Sequence, residues 1–466
     1  MIVDQNLAHE VLAVLLSAGG DFADVYVEDS ASVMLQAEGD DMERVSSTRE
    51  RGAGLRLVTD GVTHFASTVD LSSESLLDLA GYLASGASSG EPVRISDLTL
   101  QQAGPLKAIE DSSSVTLESK GDLVLKALRA ARSFDKRIVQ AKSVYRDTLS
   151  KVVIATSGGS FVEDLRSYGI FLVHAVASDG ENMQVGYEPR GGIGGFEQFR
   201  KMDPEEIAII ASGRAITTLE SPEAPAGRMT VVLSSEAGGT MVHEAVGHGL
   251  EADLTGQELS VYSGRIGEVV ASSLITIVDD PTIPGRRGSY NFDDEGTSAE
   301  KTVLVQDGVL KAYMNDLVSS RRDGVKPTGN GRRQSFRHWP IPRMSNTIIL
   351  PGKDDPEKII ASVDEGLLVR KMGGGQVNTV SGDFVFEVSE GHLIENGEIG
   401  TPVRGATLAG NGPEVLNSID MVGSDLGFAI GTCGKDGQGV PVGDAQPTMR
   451  LLDITVGGRG SGGQPS

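Results

Sequence analysis

The sequence predicts an α+β protein, with an N-terminal α+β domain followed by a β-rich C-terminal domain that carries a distorted helix. Three observations lead there. Helical and strand periodicities alternate through roughly the first half of the chain. A short segment rich in proline, alanine and glycine then interrupts them, and hairpin signals dominate beyond it. The 466 residues exceed what one small core organises, and 39% hydrophobic with 23% charged residues is a folded, globular composition.

Element by element, Leu7, Val11, Leu12, Leu15 and Leu16 form one face of an opening helix stopped at Gly19-Gly20. Residues 24–29 and 32–38 read as strands, and 54–59 with 63–67 as a hairpin turning on Asp60-Gly61. Leu76, Leu79, Ala80 and Leu83 mark a second helix capped by Ser72, and Asp122 caps a third bearing Leu125, Leu128 and Ala131. Strands are expected over 137–147, 150–156 and 170–177. Asp203-Pro204-Glu205-Glu206 combines an acidic cap, a first-turn proline and a capping-box Glu, so a helix starts there and ends near Leu219. The domains therefore run 1–220 and 229–456, joined by a linker at 221–228 and followed by a flexible tail at 457–466. In the second domain, hairpins turn on Asp307-Gly308 and Asn396-Gly397. Helices are expected from Glu236, from Asp355-Pro356 to Gly366, and near Pro413.

Charge and cysteine content narrow the function. With 41 basic and 65 acidic residues the net charge is −24, which argues against nucleic acid as a partner. Cys433 is the only cysteine, so no intrachain disulfide can form. The apolar run at 11–18 follows Asp4 and Glu10, and the first basic residue is Arg44. That is neither a secretory signal nor a membrane span of about 20 residues, so a soluble, cytoplasmic protein with no membrane partner is expected.

The chemistry concentrates at 241–253, MVHEAVGHGLEAD. His243-Glu244 followed by His248 makes HExxxH, one residue longer than the zinc-binding HExxH. On a regular helix an i, i+5 pair points about 140° apart and cannot share an ion. A π-bulge restores a common face, and Gly247 supplies backbone tolerance for it. The dipeptide alone is not diagnostic, since His9-Glu10 repeats it without a second His at useful spacing. Cys433 adds weight, because GTCGKDGQG reads as a glycine-dense loop where a thiol has little to pack against. Two imidazoles and a thiolate would leave a fourth position open, as in catalytic zinc, with Glu244 placed to take a proton from the activated water.

Other motifs admit two readings each. Arg332 and Arg333 in TGNGRR could hold an anion or a substrate carboxylate, or belong to a solvated turn. Asp293-Asp294-Glu295-Gly296 could bind a hard cation or a peptide amino terminus, with a plain turn the simpler reading. No phosphate loop exists at Gly434-Lys435, since Asp436 stands where Ser or Thr is needed. His338 fits a packed loop, and His64, His174 and His392 fall within strand readings as structural residues.

Taken together, ADVYVE at 23–28, the 241–253 core, YNFDDEG at 290–296, TGNGRR at 328–333, RMSN at 343–346, PVRGATLAGNG at 402–412 and CGKDGQGVPVG at 433–443 resemble the TldD/PmbA metallopeptidases, in the metal-bearing TldD branch. The resemblance implies zinc held by His243, His248 and Cys433, with Glu244 as general base. It implies hydrolysis of short, unfolded or modified peptides bound in extended form as an added strand. It also implies a dimer, in some members with a metal-free homologous subunit. The contrasting expectation is a non-catalytic zinc-containing binding or scaffold subunit of such a dimer, with a closed four-ligand site.

Overall fold

The computed structural model describes residues 3–86, 91–102, 104 and 106–458. The tail expected from 457 falls almost wholly outside them. Five long strands open the chain's architecture, lying in the order Val62–Thr68, Asp41–Thr59, Phe22–Glu38, Ile138–Thr156, Ser160–Ser178, each antiparallel to the next. Thr99–Gln102 pairs in parallel with one end of the last strand, and Met183–Ile193 pairs antiparallel with its other end.

Period-two alternation gives this sheet two different faces. Odd-numbered Ala23, Val25, Val27, Val153 and Phe161 bury under helices Gln5–Leu15 and Ser73–Gly86. Farther along the same face, Leu35, Tyr145, Phe171 and Val173 bury under Leu117–Phe134 and Pro204–Glu220. Truncating a fully buried leucine of this layer, such as Leu12, is expected to cost about 2–5 kcal/mol. Even-numbered Tyr26, Val152, Ile154 and Val162 face the other way and meet Phe292 and Phe336 of the C-terminal half.

Several boundaries differ from the sequence reading for identifiable reasons. The two strands expected at 24–38 are one, because Ser30 and Ala31 pair on both sides, Ser30 with Glu50 and with Ser150. Residues 41–53 carry too few apolar side chains to alternate visibly, yet long-range pairing makes them strand. Thr116, not Asp122, caps the third helix, accepting from Ser119 N–H at 3.2 Å. The helix from Pro356 stops at Ala361. The Asp60-Gly61, Asp307-Gly308 and Asn396-Gly397 turns form as expected, with positive φ at every one of these six residues.

In the C-terminal half, Glu365–Val377, Gly227–Leu233, Met449–Gly457, Thr407–Asn411 and Asp383–Glu395 pair in sequence. Glu365–Val377 also pairs with Asp383–Glu395, so this sheet closes on itself. A second sheet runs Val309–Leu310, Thr302–Gln306, Ile277–Asp279, Asn346–Ile349, Gln438–Gln446, Gly427–Lys435, and the last of these pairs with no further strand among the described residues. One hydrophobic core joins the two sheets, and Met241, Val242, Ala245, Val246 and Leu250 lie within it. The segment that carries HExxxH is thus held at the centre of the larger core.

Candidate metal centre

The helix begins at Thr240 rather than at Glu236. Ser234 Oγ accepts from Glu236 N–H at 3.0 Å and closes a separate 3₁₀ turn at Ser235–Ala237. Gly238 then adopts φ +69°, where a Cβ would stand 2.3 Å from the Ala429 Cβ. At Gly239 an added Cβ would lie 2.4 Å from Ala445 N and 2.7 Å from the Asp444 Cβ. The two glycines therefore bring the start of the helix against both strands of the hairpin that bears Cys433 and Asp444, about one turn ahead of His243.

The expected distortion is present. Thr240–Val242 is α-helical, His243–Gly247 forms a π turn and His248–Leu250 tightens to 3₁₀. His248 N–H donates to the His243 carbonyl, the i→i−5 bond of a π turn, and this brings residues five apart onto one face. The two imidazole centroids lie 5.1 Å apart with planes at 89°. Gly247 acts differently from the expectation. Its φ of −54° suits any residue, but a Cβ there would be 2.0 Å from Met344 Sδ. Glycine is needed for space, not for backbone freedom.

Cys433 also sits in a different setting from the one expected. It is not in a loop but on Gly427–Lys435, paired with Val440 across a hairpin that turns on Asp436-Gly437 at φ 49° and 70°. The thiol is buried in the main core. One potential ligand atom from each of His243, His248 and Cys433 lies within 4.8 Å of the other two, and Cys433 Sγ is 3.4 Å from His248 Nε2. A nitrogen and a sulfur bound to one tetrahedral zinc stand roughly 3.5 Å apart. The donor set and its spacing fit such an ion.

Sequence reasoning missed the residues that orient these donors. His243 Nδ1 is 2.8 Å from Asp444 Oδ1, and His248 Nδ1 is 3.0 Å from Glu251 Oε2. Each carboxylate occupies one ring nitrogen and leaves the other for the centre, the usual support of a metal-ligating histidine. Lys435 in turn donates to Glu251 at 3.1 Å, Asp253 at 2.7 Å and the Pro342 carbonyl at 3.0 Å. Glu251, three residues after His248 within the same motif, could have been read from the sequence. Asp444 is linked to His243 only through the hairpin register.

Electrostatics favour the ligating form of the thiol. Burial opposes ionisation of Cys433, yet hydrogen bonds with both imidazoles draw it down to about 5. Burial likewise disfavours charged His248, but Glu251 and Cys433 bring it up to about 10. Burial raises the Glu244 carboxyl above its ordinary value, and the neighbouring imidazoles only partly offset this. Glu244 has no hydrogen-bond or ion-pair partner among the described residues.

The other singled-out residues form a structural network instead. Arg332 donates to the Met344 and Pro441 carbonyls, and Arg333 to Asp24 and the Asp294 carbonyl. Both are buried, so neither is presented to an anion. Asp293 accepts from the backbone of Glu295, Thr297 and Gly331. Asp294 takes Arg166, and Glu295 takes Arg56 and Leu317 N–H. This acidic loop is tied to the even-numbered face of the first sheet and is not arranged as a cation site. His64, His174 and His392 lie on strands, and His338 lies beside Ser335.

Comparison with known proteins gives a consistent picture. Family models described as PmbA/TldA metallopeptidase domain 1, central domain and C-terminal domain match residues 23–81, 110–219 and 226–458. The chain is 39% identical to a metalloprotease TldD homolog of Haemophilus influenzae, covering 94% of this chain and 93% of that one. It is 36% identical to a metalloprotease of Methanothermobacter thermautotrophicus, over 94% and 96% of the two chains. Among solved structures, TldE from Thermococcus kodakarensis superposes with a TM-score of 0.76 at 19% identity, covering 97% of this chain and 99% of that one. A Thermotoga maritima protein superposes at 0.79 with 23% identity, over 94% and 96%.

Proposed function

This chain belongs to the PmbA/TldA family of metallopeptidases, and on that premise we propose that it is a zinc-dependent peptidase acting on short, unfolded or modified peptides. The observation that carries the reading is the convergence of one donor atom each from His243, His248 and Cys433, with Asp444 and Glu251 fixing the two rings from outside. A His₂Cys set suits zinc better than the hard, oxygen-preferring cations. Bound there, zinc would supply a Lewis acid and lower the pKa of a water molecule at its open position.

The chain's own groups account for the remaining chemistry. Glu244, adjacent to a ligand and without a hydrogen-bond or ion-pair partner among the described residues, accepts the proton of the attacking water and returns it to the departing amine. Burial raises its basicity above that of an exposed carboxylate, which improves the match to neutral pH. Strand Gly427–Lys435 carries Cys433 and lies at the edge of its sheet. An extended peptide can pair with that edge through main-chain hydrogen bonds, a mode that tolerates varied sequence. The dimer, with a metal-free homologous subunit in some cells, and a cytoplasmic location complete the reading. No helix of the described residues is long and apolar enough to cross a membrane.

Glu244→Gln tests the mechanism. The variant is expected to keep stoichiometric zinc and lose hydrolysis by about 10²–10⁴-fold. Full peptidase activity in a zinc-replete Glu244→Gln protein would overturn it. Chelator-insensitive activity in the wild type would do the same.

A further inference from the structure

Beside the metal centre lies a cavity of about 1250 Å³, bounded on one side by Met183–Ile193 and Pro204–Glu220 and on the other by the two C-terminal sheets. Its lining reaches Thr240, three residues ahead of His243, and Ile430, three residues ahead of Cys433 on the edge strand. Those separations are about 4.5 Å along a helix and roughly 10 Å along a strand. The cavity therefore comes within one helical turn of His243 and shares the edge strand with Cys433, without including any of the three donors.

The charge inside it runs against the rest of the chain. The net charge of the protein is −24, yet the lining holds four cations, Arg190, Arg214, Arg286 and Lys371, against Glu188, Glu236 and Glu387. Two of the four cations are committed. Arg190 pairs with Glu188, and Arg214 pairs with Glu188 and, at 2.7 Å, with Glu390. Lys371 and Arg286 are not committed. Neither side chain donates a hydrogen bond or forms an ion pair among the described residues, and the Arg286 guanidinium stacks on the Phe428 ring at 3.5 Å to its centroid. Stacking fixes that fork while leaving its N–H groups for a ligand. Lys371 is largely buried, and burial together with Arg214 and Arg190 brings it down to about 8, with Glu390 and Glu236 only partly compensating. Lys371 is thus a desolvated cation beside two others, near Glu390 and Glu236 but in an ion pair with no acidic group among the described residues.

We propose that this cavity is a carboxylate-selecting substrate pocket in which Lys371 and Arg286 each offer a cation to an acidic side chain or the free C-terminus of the peptide. The proposal rests on the peptidase reading above and adds a substrate class to it. These two residues contact substrate equally in the ground and transition states, so they set KM and leave kcat nearly unchanged.

The test uses short Ala/Ser/Gly peptides in four forms: the free acid, the C-terminal amide, the amide with one internal Glu, and the amide with one internal Lys. Their Kd values are measured by calorimetry on zinc-loaded Glu244→Gln, and their kcat and KM on the active protein. The free acid, the Glu peptide or both are expected to bind about 10–100-fold more tightly than the plain amide, the range of a charge-assisted pair. Which of the two gains identifies the source of the carboxylate. Lys371→Gln and Arg286→Gln are expected to erase most of that preference through KM, while Lys371→Arg retains it. Equal Kd for all four forms, or no measurable binding of any, would overturn the pocket. Absence of metal-dependent hydrolysis alongside a preserved carboxylate preference would overturn the peptidase reading and leave the pocket standing.

Discussion

Two of the buried polar clusters among the described residues are flagged by residue type alone, yet they are built on opposite principles. In the cluster between the first sheet and the 293–295 loop, Arg56 meets Asp24 and Glu295, Arg166 meets Asp164 and Asp294, and Arg333 meets Asp24. The inward-facing charges are spent on one another. At the metal centre the carboxylates take the outer nitrogens of His243 and His248, and the inner ring nitrogens converge on the Cys433 thiol, with Glu244 nearby. A cluster that closes on itself holds the fold together. One that leaves its strongest donors converging on a common point is prepared for something the chain does not supply.

The sharpest way to separate the two is to remove one member from each. Cys433→Ala is expected to lower zinc occupancy well below one per chain and to reduce hydrolysis by roughly 10⁴-fold or more, because the pKa of water is no longer lowered by about eight units. Its unfolding midpoint in chelator should stay close to that of the wild type. Arg56→Met should do the reverse. It leaves Glu295 buried without its cation and Asp24 with Arg333 alone, which is expected to cost about 3–5 kcal/mol in denaturant unfolding. Zinc per folded molecule should be unchanged. If Arg56→Met emptied the metal site at full stability, the two clusters could not be independent.

How much of this contrast could be read before the coordinates depends on the range of the interactions involved. The π turn follows from a spacing of five between His243 and His248, a local fact, and so do the Asp-Gly and Asn-Gly turns. The closed cluster is not local. Arg333 looks available for a ligand until Asp24 is seen to share one face of a distant sheet with Arg56, a face set by strand register, and Arg332 until it is seen to donate to the Met344 and Pro441 carbonyls. Cys433 is a similar case. Its glycine-rich surroundings suggest a loop, but pairing with Val440 makes them a hairpin whose inner side is core.

Titration offers a third comparison. Glu28, on the even-numbered face, accepts from Phe336 N–H at 3.2 Å. Burial and then the Asp294 carboxylate raise it to about 7 from an ordinary 4.5. The folded chain thus keeps this proton to a higher pH than the unfolded chain does. The corresponding stability is complete below about pH 4.5 and is lost as the pH climbs through about 7, a total of up to about 3 kcal/mol. Thermal unfolding between pH 5 and 8 should show that decline, and Glu28→Gln, which keeps the acceptor for Phe336, should flatten it. An unchanged slope in the variant would assign the decline to other groups.

The smallest expected effect bears on what a carboxylate does in each setting. Glu295 neutralises a buried arginine, whereas Asp444 and Glu251 sit behind metal-site histidines and act through them. Asn at 444 and Gln at 251 keep an acceptor for the ring N–H and remove only the charge, so zinc affinity should fall by about 10-fold. Ala at either position also frees the ring to rotate and should approach 100-fold. Competition with a chromogenic chelator resolves differences of that size. The order matters more than the magnitudes. If Asp444→Asn weakened zinc as much as Asp444→Ala, charge alone would be at work, and the outer carboxylates would resemble those of the closed cluster. A graded series would show that their main task is to aim the imidazoles.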